Sequence, residues 1–427
     1  MKNFFSATRM LLLSTAVVYL ASCANEPATD KSIAGKDTLL TLPEGFTATI
    51  VADSLGSARH LAITSAGDLY VKMGDTKKGN GIVYLHDSNG DGLFDQKTGF
   101  GNYGGTGIYL ADSFLYASSN EGVYRYRLDA QGKVVDPNNP ATIVSGLIDR
   151  DQHNSKSIVL DKQGNIYVNI GAYSNACQQQ DRTAGSPGMR PCPILDSAGG
   201  IWQFRADRLD QHFADGVRYA TGLRNVVGLD WNQQANQLFV MQHGRDQLNS
   251  MFPKLFTEQQ SADLPAETMY ALNKGDDAGW PYIYYDQNQG KKILAPEYGG
   301  DGKKTGGEKA IDPVVAFPAH LAPNGLLFYT GNQFPEKYRN GAFIAFHGSW
   351  NRAPEMQQGF FVAFVPFANG KPSGKWEIFA NNFAGTDQLK SPGDAKHRPC
   401  GLAQGPDGSL YVSDDMQGTI FKISYKK

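Results

Sequence analysis

The sequence predicts an all-β fold, a six-bladed β-propeller of four-stranded antiparallel blades, on three observations. A short unit, apolar-x-apolar, then a turn with Gly or Asn, then a short apolar strand, occurs six times. Each copy is followed by a further run of alternating apolar residues, and the two hairpins together make one sheet. The composition is 41% hydrophobic and only 19% charged, with 48 glycines and many Tyr and Phe residues, which favours strands joined by tight turns. A twisted four-stranded sheet cannot bury both faces alone, whereas six arranged radially cover one another and protect their edges.

In chain order, Lys2 and Arg9 precede the apolar run from Met10 to Leu20, which is too short to span a hydrocarbon layer of about 30 Å. Residues 1–22 are therefore expected to be a cleaved export signal. Leu20-Ala21-Ser22-Cys23 resembles the lipobox of bacterial lipoproteins, which implies acylation of Cys23 and an exported protein lipid-anchored to the bacterial cell envelope, in the periplasm or at the outer membrane. The alternative is an ordinary secretory peptide with an incidental cysteine. Residues 23–38 are polar and aperiodic, as expected of a flexible tether, so the propeller is expected over 39–427. Without residues 1–22, Lys plus Arg falls from 40 to 38 against 42 acids. That balance, with no basic run, gives no nucleic-acid partner, and the membrane is met only through the anchor.

The six copies are "HLAITSAGDLYVKMG" (60–74), "GIYLADSFLYASS" (107–119), "SIVLDKQGNIYVNIG" (157–171), "VVGLDWNQQANQLFVMQHG" (226–244), "NGLLFYTGNQFPEKYRNGAFIAFHG" (324–348) and "PCGLAQGPDGSLYVSDD" (399–415). The runs that follow them begin near 81, 122, 199, 268, 359 and 418. The opening strand "FTATIVADS" (46–54) and the closing one from Thr419 to Tyr425 are expected to complete one blade together. Insertions at 172–198 and 245–320 are expected to build loops on one face.

Cys177 and Cys192 bracket the irregular stretch "CQQQDRTAGSPGMRPC" and are expected to pair in an oxidising exported setting. Closing that loop contributes about 3 kcal/mol by chain entropy. Cys400 is left as a small buried apolar residue. In "DSNGDGLFD" (87–95), Asp87, Asn89 and Asp91 have calcium-loop spacing, but Thr98 replaces the twelfth-position Glu, so a second calcium site and a polar hairpin turn both remain open.

Inner strands of a propeller aim their ends and first loops at the axis, so residues flanking the copies converge. They include His153, "GLRN" with Arg224 and Asn225, "HGRDQL" (243–248), His320, "HGSWNR" (347–352) and "KHRPCG" (396–401). With "GDDAGWP" (275–281), these motifs resemble the quinoprotein glucose/sorbosone dehydrogenase family, six-bladed propellers that use pyrroloquinoline quinone (PQQ) with calcium, over about Leu42 to the C-terminus. The resemblance implies His153 as the general base for a substrate hydroxyl, a role an imidazole of ordinary pKa about 6.5 suits. It implies Arg224 beside the quinone carbonyls, where a fixed cation stabilises developing oxyanion charge, with Asn225 as its hydrogen-bonding neighbour. Arg398 is implied as a partner of a quinone carboxylate, and His320, His347 and Arg352 as further cofactor contacts, His347 standing where the glucose enzymes have lysine. Main-chain carbonyls of Gly244 and Arg245, with Asp246, are implied for calcium. Gln152 and Tyr173 depart from the glucose enzymes at the substrate, which points to the sorbosone-like branch. The substrate expected is a sugar or sugar aldehyde, with electrons passing to an external quinone or cytochrome. Two other readings are a calcium-dependent lactonase, which needs acidic ligands from several blades, and a noncatalytic glycan-binding propeller, which needs no base.

Overall fold

The computed structural model describes residues 39–426; the expectations for the export signal, Cys23 and the tether lie outside the described residues. Each of the six sequence copies forms the inner hairpin of one sheet that is antiparallel through its four blade strands; in two of the sheets a two-residue fifth strand, Gln211–His212 or Asp276–Asp277, adds in parallel at the outer edge. Blade I is Ala58–Ile63, Leu69–Met73, Ile82–His86 and Gln96–Phe100; blade II is Ile108–Ala111, Phe114–Ser118, Val123–Arg127 and Ala141–Ser145. Blade III is Ile158–Leu160, Asn165–Ile170, Gly200–Arg205 and Val217–Thr221; blade IV is Val226–Asn232, Gln237–Gln242, Ala266–Leu272 and Val315–Ala319. Blade V is Pro323–Phe328, Ala342–Phe346, Phe361–Val365 and Glu377–Ala380. In blade VI the order is Pro399–Gln404, Leu410–Asp414, Ile420–Tyr425 and then Phe46–Ala52, so the first strand of the chain is the outermost strand of the last blade.

Each inner strand touches the inner strands of both neighbouring blades, and that of blade VI returns to that of blade I, which closes the ring. The six inner strands enclose an axial channel of about 240 Å³ whose lining draws on all of them. Asp230 ties two blades there: its carboxylate accepts from the Phe328 N–H at 2.7 Å as well as from its own neighbour Trp231, and burial pushes the carboxyl up to about 7. Between blades the faces pack as aliphatic and aromatic layers. The chain's first strand is held by Phe46, whose ring meets Phe334, Phe379 and Tyr338 edge-on at 4.9, 5.0 and 5.4 Å, geometry that favours aromatic quadrupoles.

The strand register breaks at the start of four inner strands, between Ala58 and Leu61, Val226 and Leu229, Pro323 and Gly325, and Pro399 and Leu402. Bulges bend a strand and re-aim its side chains. All four lie at the same end of the inner strands, the end where the polar motifs leave the sheets. The insertion at 172–198 is a loop closed by the Cys177–Cys192 disulfide, and Cys400 is free and fully buried, as read from the sequence. The 245–320 region carries two short helices, Leu248–Met251 and Glu258–Asp263, and a hairpin, Ile283–Asp286 with Lys291–Leu294, besides two strands of blade IV.

Candidate active site

A cavity of about 230 Å³ opens where blades III, IV and V deliver their polar connections. His153 arrives just ahead of blade III, Arg224 ahead of blade IV, and His243 and Gly244 directly after the second strand of blade IV. His320 and Ala322 enter ahead of blade V, and Ser349, Trp350 and Asn351 follow that blade's second strand. Asp246, Glu267, Gln152 and Arg182 complete the lining. His153, Arg182, His320 and Ala322 all hold left-handed backbone, with φ of 51, 53, 60 and 56°. Such conformations in non-glycine residues persist only where the surroundings over-determine them.

His153 is fixed by one bond. Its Nδ1 lies 2.5 Å from the carbonyl of Ala172. A carbonyl only accepts, so Nδ1 carries the proton and Nε2 keeps its lone pair. Burial, with Arg224 adding to it, pushes the imidazole down to about 3, so it is neutral at working pH. Close packing holds it there: a Cβ on Gly171 would sit 2.6 Å from the His153 Cβ and 2.9 Å from the Asn225 Oδ1, so only glycine fits.

Arg224 is buried and fully oriented. Its guanidinium donates to the carbonyl of Asn175 at 3.2 Å, to the carbonyl of Gly244 at 2.9 Å and to Asp246 Oδ2 at 2.6 Å. Burial opposes ionisation of Asp246, but Arg224, then His320 and Arg182, outweigh it and hold the carboxyl well below the usual carboxylate range. Beside Arg224, the buried Asn225 Oδ1 has no hydrogen-bond partner among the described residues. Glu267 accepts from the Gly244 N–H at 2.9 Å and the Ala322 N–H at 3.2 Å, and burial pushes its carboxyl up to about 8. Trp350 lines the same cavity with 53% of its surface exposed, a free aromatic face at the rim.

Not every expected residue reaches this cavity. His320 lines it, though its Nε2 sits against the carbonyls of Ser261 and Leu264. His347 and Arg398 form a neighbouring cluster instead. His347 Nε2 pairs with Asp415 at 2.6 Å, Arg59 donates to the same carboxylate at 2.8 Å, and Arg398 donates to the carbonyls of His347 and Gly348 at 3.2 and 3.1 Å. Arg352 is spent on the carbonyls of Ala262 and Met356 and the carboxylate of Asp263, so it is a brace for the helix Glu258–Asp263, not a cavity cation. Tyr173 lies under the Arg150 guanidinium, 5.4 Å from it, against the core around the disulfide, not in the cavity. The expected calcium donors are partly engaged: Gly244 O by Arg224, and the Asp246 carboxylate by Arg224, Arg182 and Asn351. The Arg245 side chain turns into a buried ion pair with Glu297 at 2.5 Å.

At the second calcium candidate, Asp87 accepts from the Gly90 and Gly92 N–H groups at 2.8 Å, Asn89 from Asp91 and Asp91 from Leu93. Such bonding is that of a self-capped polar turn. No group of three His, Cys, Asp or Glu side chains suited to a metal occurs among the described residues.

The fold and the cavity define a class: six-bladed propellers whose hub gathers an imidazole with a free lone pair, a buried guanidinium and an unpaired amide. The particular family follows from comparison. The chain belongs to the TrAA12-like family, whose model matches residues 40–426. It is 23% identical over 444 residues, 98% of this chain and 96% of the relative, to a pyrroloquinoline quinone-dependent sugar dehydrogenase of Hypocrea jecorina. It is 25% identical over 432 residues to a pyrroloquinoline quinone-dependent pyranose dehydrogenase of Coprinopsis cinerea, and 30% identical over 209 residues to an uncharacterized protein of Borreliella burgdorferi. The chain spans about half the length of these last two relatives, 54% and 48%. Among solved structures it resembles the calcium structure of the Trichoderma reesei family AA12 enzyme (TM-score 0.71, 20% identity, 93% of this chain and 98% of that one). It also resembles the holo form of the Coprinopsis cinerea pyranose dehydrogenase PQQ domain (TM-score 0.67, 22% identity, 90% and 97%).

Proposed function

We propose that the protein is a PQQ-dependent sugar dehydrogenase in which His153 is the general base. The observation that carries this reading is the single cavity holding a neutral, tautomer-fixed imidazole against a buried arginine. The donor set fits an anionic quinone: the guanidinium and amide N–H groups of Arg182, Arg224 and Asn351 line the cavity against one carboxylate held ionised, Asp246. Arg224, Asn225 and Asn351 would hold its oxygens, with the Trp350 face beside it. His347 and Arg398 act on the cofactor side by fixing the 347–351 connection. Calcium would take the main-chain carbonyls of Gly244 and Arg245 with Asp246, as the resemblance implies, sharing Gly244 O and the Asp246 carboxylate with Arg224. When bound, the quinone supplies a two-electron hydride acceptor.

The chain's own residues do the rest. The cavity positions a sugar hydroxyl on the Nε2 side of His153, where the lone pair takes the proton as the C–H bond is broken. The Arg224 guanidinium, held by three acceptors, keeps its remaining N–H groups aimed at the site of developing negative charge without reorganising. The proton on Nδ1 stays with the Ala172 carbonyl and stabilises the imidazolium that forms. A sorbosone-like sugar aldehyde is the substrate branch that Gln152 favours, with electrons leaving to an external quinone or cytochrome, in a protein exported and lipid-anchored through Cys23.

The test is reconstitution of purified protein with PQQ and calcium, followed by the bound-quinone absorbance and by dye reduction on a panel of sugars and sugar aldehydes. Uptake with turnover is expected, and a chelator should lower it. Uptake without turnover on any sugar, or no uptake, would overturn the assignment.

A further inference from the structure

Arg182 has no counterpart among the motifs that flank the blades, yet it lines the cavity. The loop between Cys177 and Cys192 presents it, and the disulfide pins both ends of that loop. Its guanidinium donates to three side chains: Gln152 Oε1 at 3.2 Å, Gln247 Oε1 at 2.8 Å and Asp246 Oδ2 at 3.1 Å. Gln152 is held from its other end as well, because its amide donates to Asp181 Oδ2 at 2.7 Å. Asp181 is fixed in turn by the Ser174 hydroxyl at 2.6 Å and the Asn175 N–H at 3.0 Å. So two consecutive loop residues, Asp181 and Arg182, clamp the side chain next to His153, while the second of them shares Asp246 with Arg224.

The two arginines differ in exposure. The Arg224 side chain is 4% exposed and that of Arg182 is 29% exposed, so Arg224 is the floor of the cavity and Arg182 its mouth. Arg182 is itself ion-paired with Asp246. Its role is geometric: a planar fork with three separate nitrogens reaches three acceptors spread around it, a span that a single ammonium nitrogen does not match.

We propose that Arg182 is a substrate-positioning residue, which the disulfide-closed loop lays over the cavity to fix Gln152 beside the base and Asp246 against Arg224, thereby setting how a sugar is oriented over His153. This rests on the sugar dehydrogenase reading for its kinetics but not for its binding arm.

The experiment compares wild type, Arg182→Ala, Arg182→Lys and Arg190→Ala. Arg190 lies in the same loop but stacks on Tyr282 and Tyr298, at 4.6 and 5.3 Å, outside the cavity, so it reports general damage to the loop. On quinone-loaded protein, Arg182→Ala should raise KM for the preferred aldose about tenfold, the scale of one lost charge-assisted bond, with a smaller fall in kcat and the bound-quinone absorbance unchanged. Arg182→Lys should recover part of KM, and Arg190→Ala should leave both constants alone. In parallel, D-xylose, D-galactose and D-glucose are titrated calorimetrically into quinone-free protein, where Arg182→Ala should weaken whichever sugar binds wild type by a similar factor. Failure of wild type to take up quinone would remove the dehydrogenase reading while the sugar titration still tests Arg182. Unchanged KM and sugar affinity in Arg182→Ala, equal shifts in Arg182→Ala and Arg190→Ala, or no sugar bound by wild type in either arm would overturn the proposal.

Discussion

Two clusters at the same end of the ring use the same residue types to opposite ends. One, on blades III to V, sets His153 and Arg224 around Asp246; the other, where blades I, V and VI meet, sets His347, Arg59 and Arg398 around Asp415. In the second cluster His347 Nε2 meets a carboxylate at 2.6 Å and Arg398 meets two carbonyls. In the first, His153 spends only Nδ1 and the Asn225 amide oxygen spends nothing. The lesson is that composition alone does not separate chemistry from scaffolding. What separates them is whether the last donor or lone pair has been given to the protein or kept for a ligand.

The largest expected effect lies in that difference. His153→Gln should lower kcat about 10³-fold while quinone uptake persists, the range lost with a general base; His347→Gln should act mainly on stability and quinone retention. Equal losses of kcat in the two variants, each with stability intact, would erase the distinction between the clusters. Next, Arg224→Lys should cost about 10²-fold in kcat, because a single ammonium nitrogen does not span the acceptors that three separate guanidinium nitrogens reach; steady-state kinetics on quinone-loaded protein checks this.

A stability measurement probes the other cluster. Asp415→Asn leaves Arg59 and His347 without their shared anion and should lower the unfolding free energy by about 2 kcal/mol, read as a lower urea midpoint at unchanged slope. The smallest effect is on pH dependence. Burial pushes His153 and His243 down to about 3 and His60 to about 4. The folded protein therefore keeps these imidazoles neutral while the unfolded chain protonates them from about pH 6.5 downward, so stability falls as pH drops from about 6.5 to 4. Replacing His153 by Gln removes one proton from that difference and should flatten the slope by about 1.4 kcal/mol per pH unit, measured by urea unfolding across that window.

The inner hairpins were legible because short apolar runs flank a turn with Gly or Asn, as in Ile158–Leu160 and Asn165–Ile170, which are buried almost throughout. Outer strands were not: Gln96–Phe100 exposes four of its five residues and carries no apolar period. Residues at blade entries, such as His153 and Arg224, could be placed because the ring itself sends those positions to the hub. Arg352 and Tyr173 sit beside hub motifs in sequence, but adjacency does not fix the direction of a side chain, and theirs lead to Asp263 and Arg150. Arg182 left no sequence signal, since an irregular loop between two cysteines says nothing of where its tip lands. Glu267 was hidden in a strand that reads as core.

The pairing of Phe46–Ala52 with Ile420–Tyr425 bears on biogenesis. Phe46–Ala52 has no partner until Ile420–Tyr425 has been made, so the wheel cannot lock before then. Such a long-range final step is slow and leaves an open sheet border in the meantime. A nick or a short deletion within either of these two strands therefore acts on one shared clasp, and damage at positions so far apart in the chain should produce the same springing-open of the last blade.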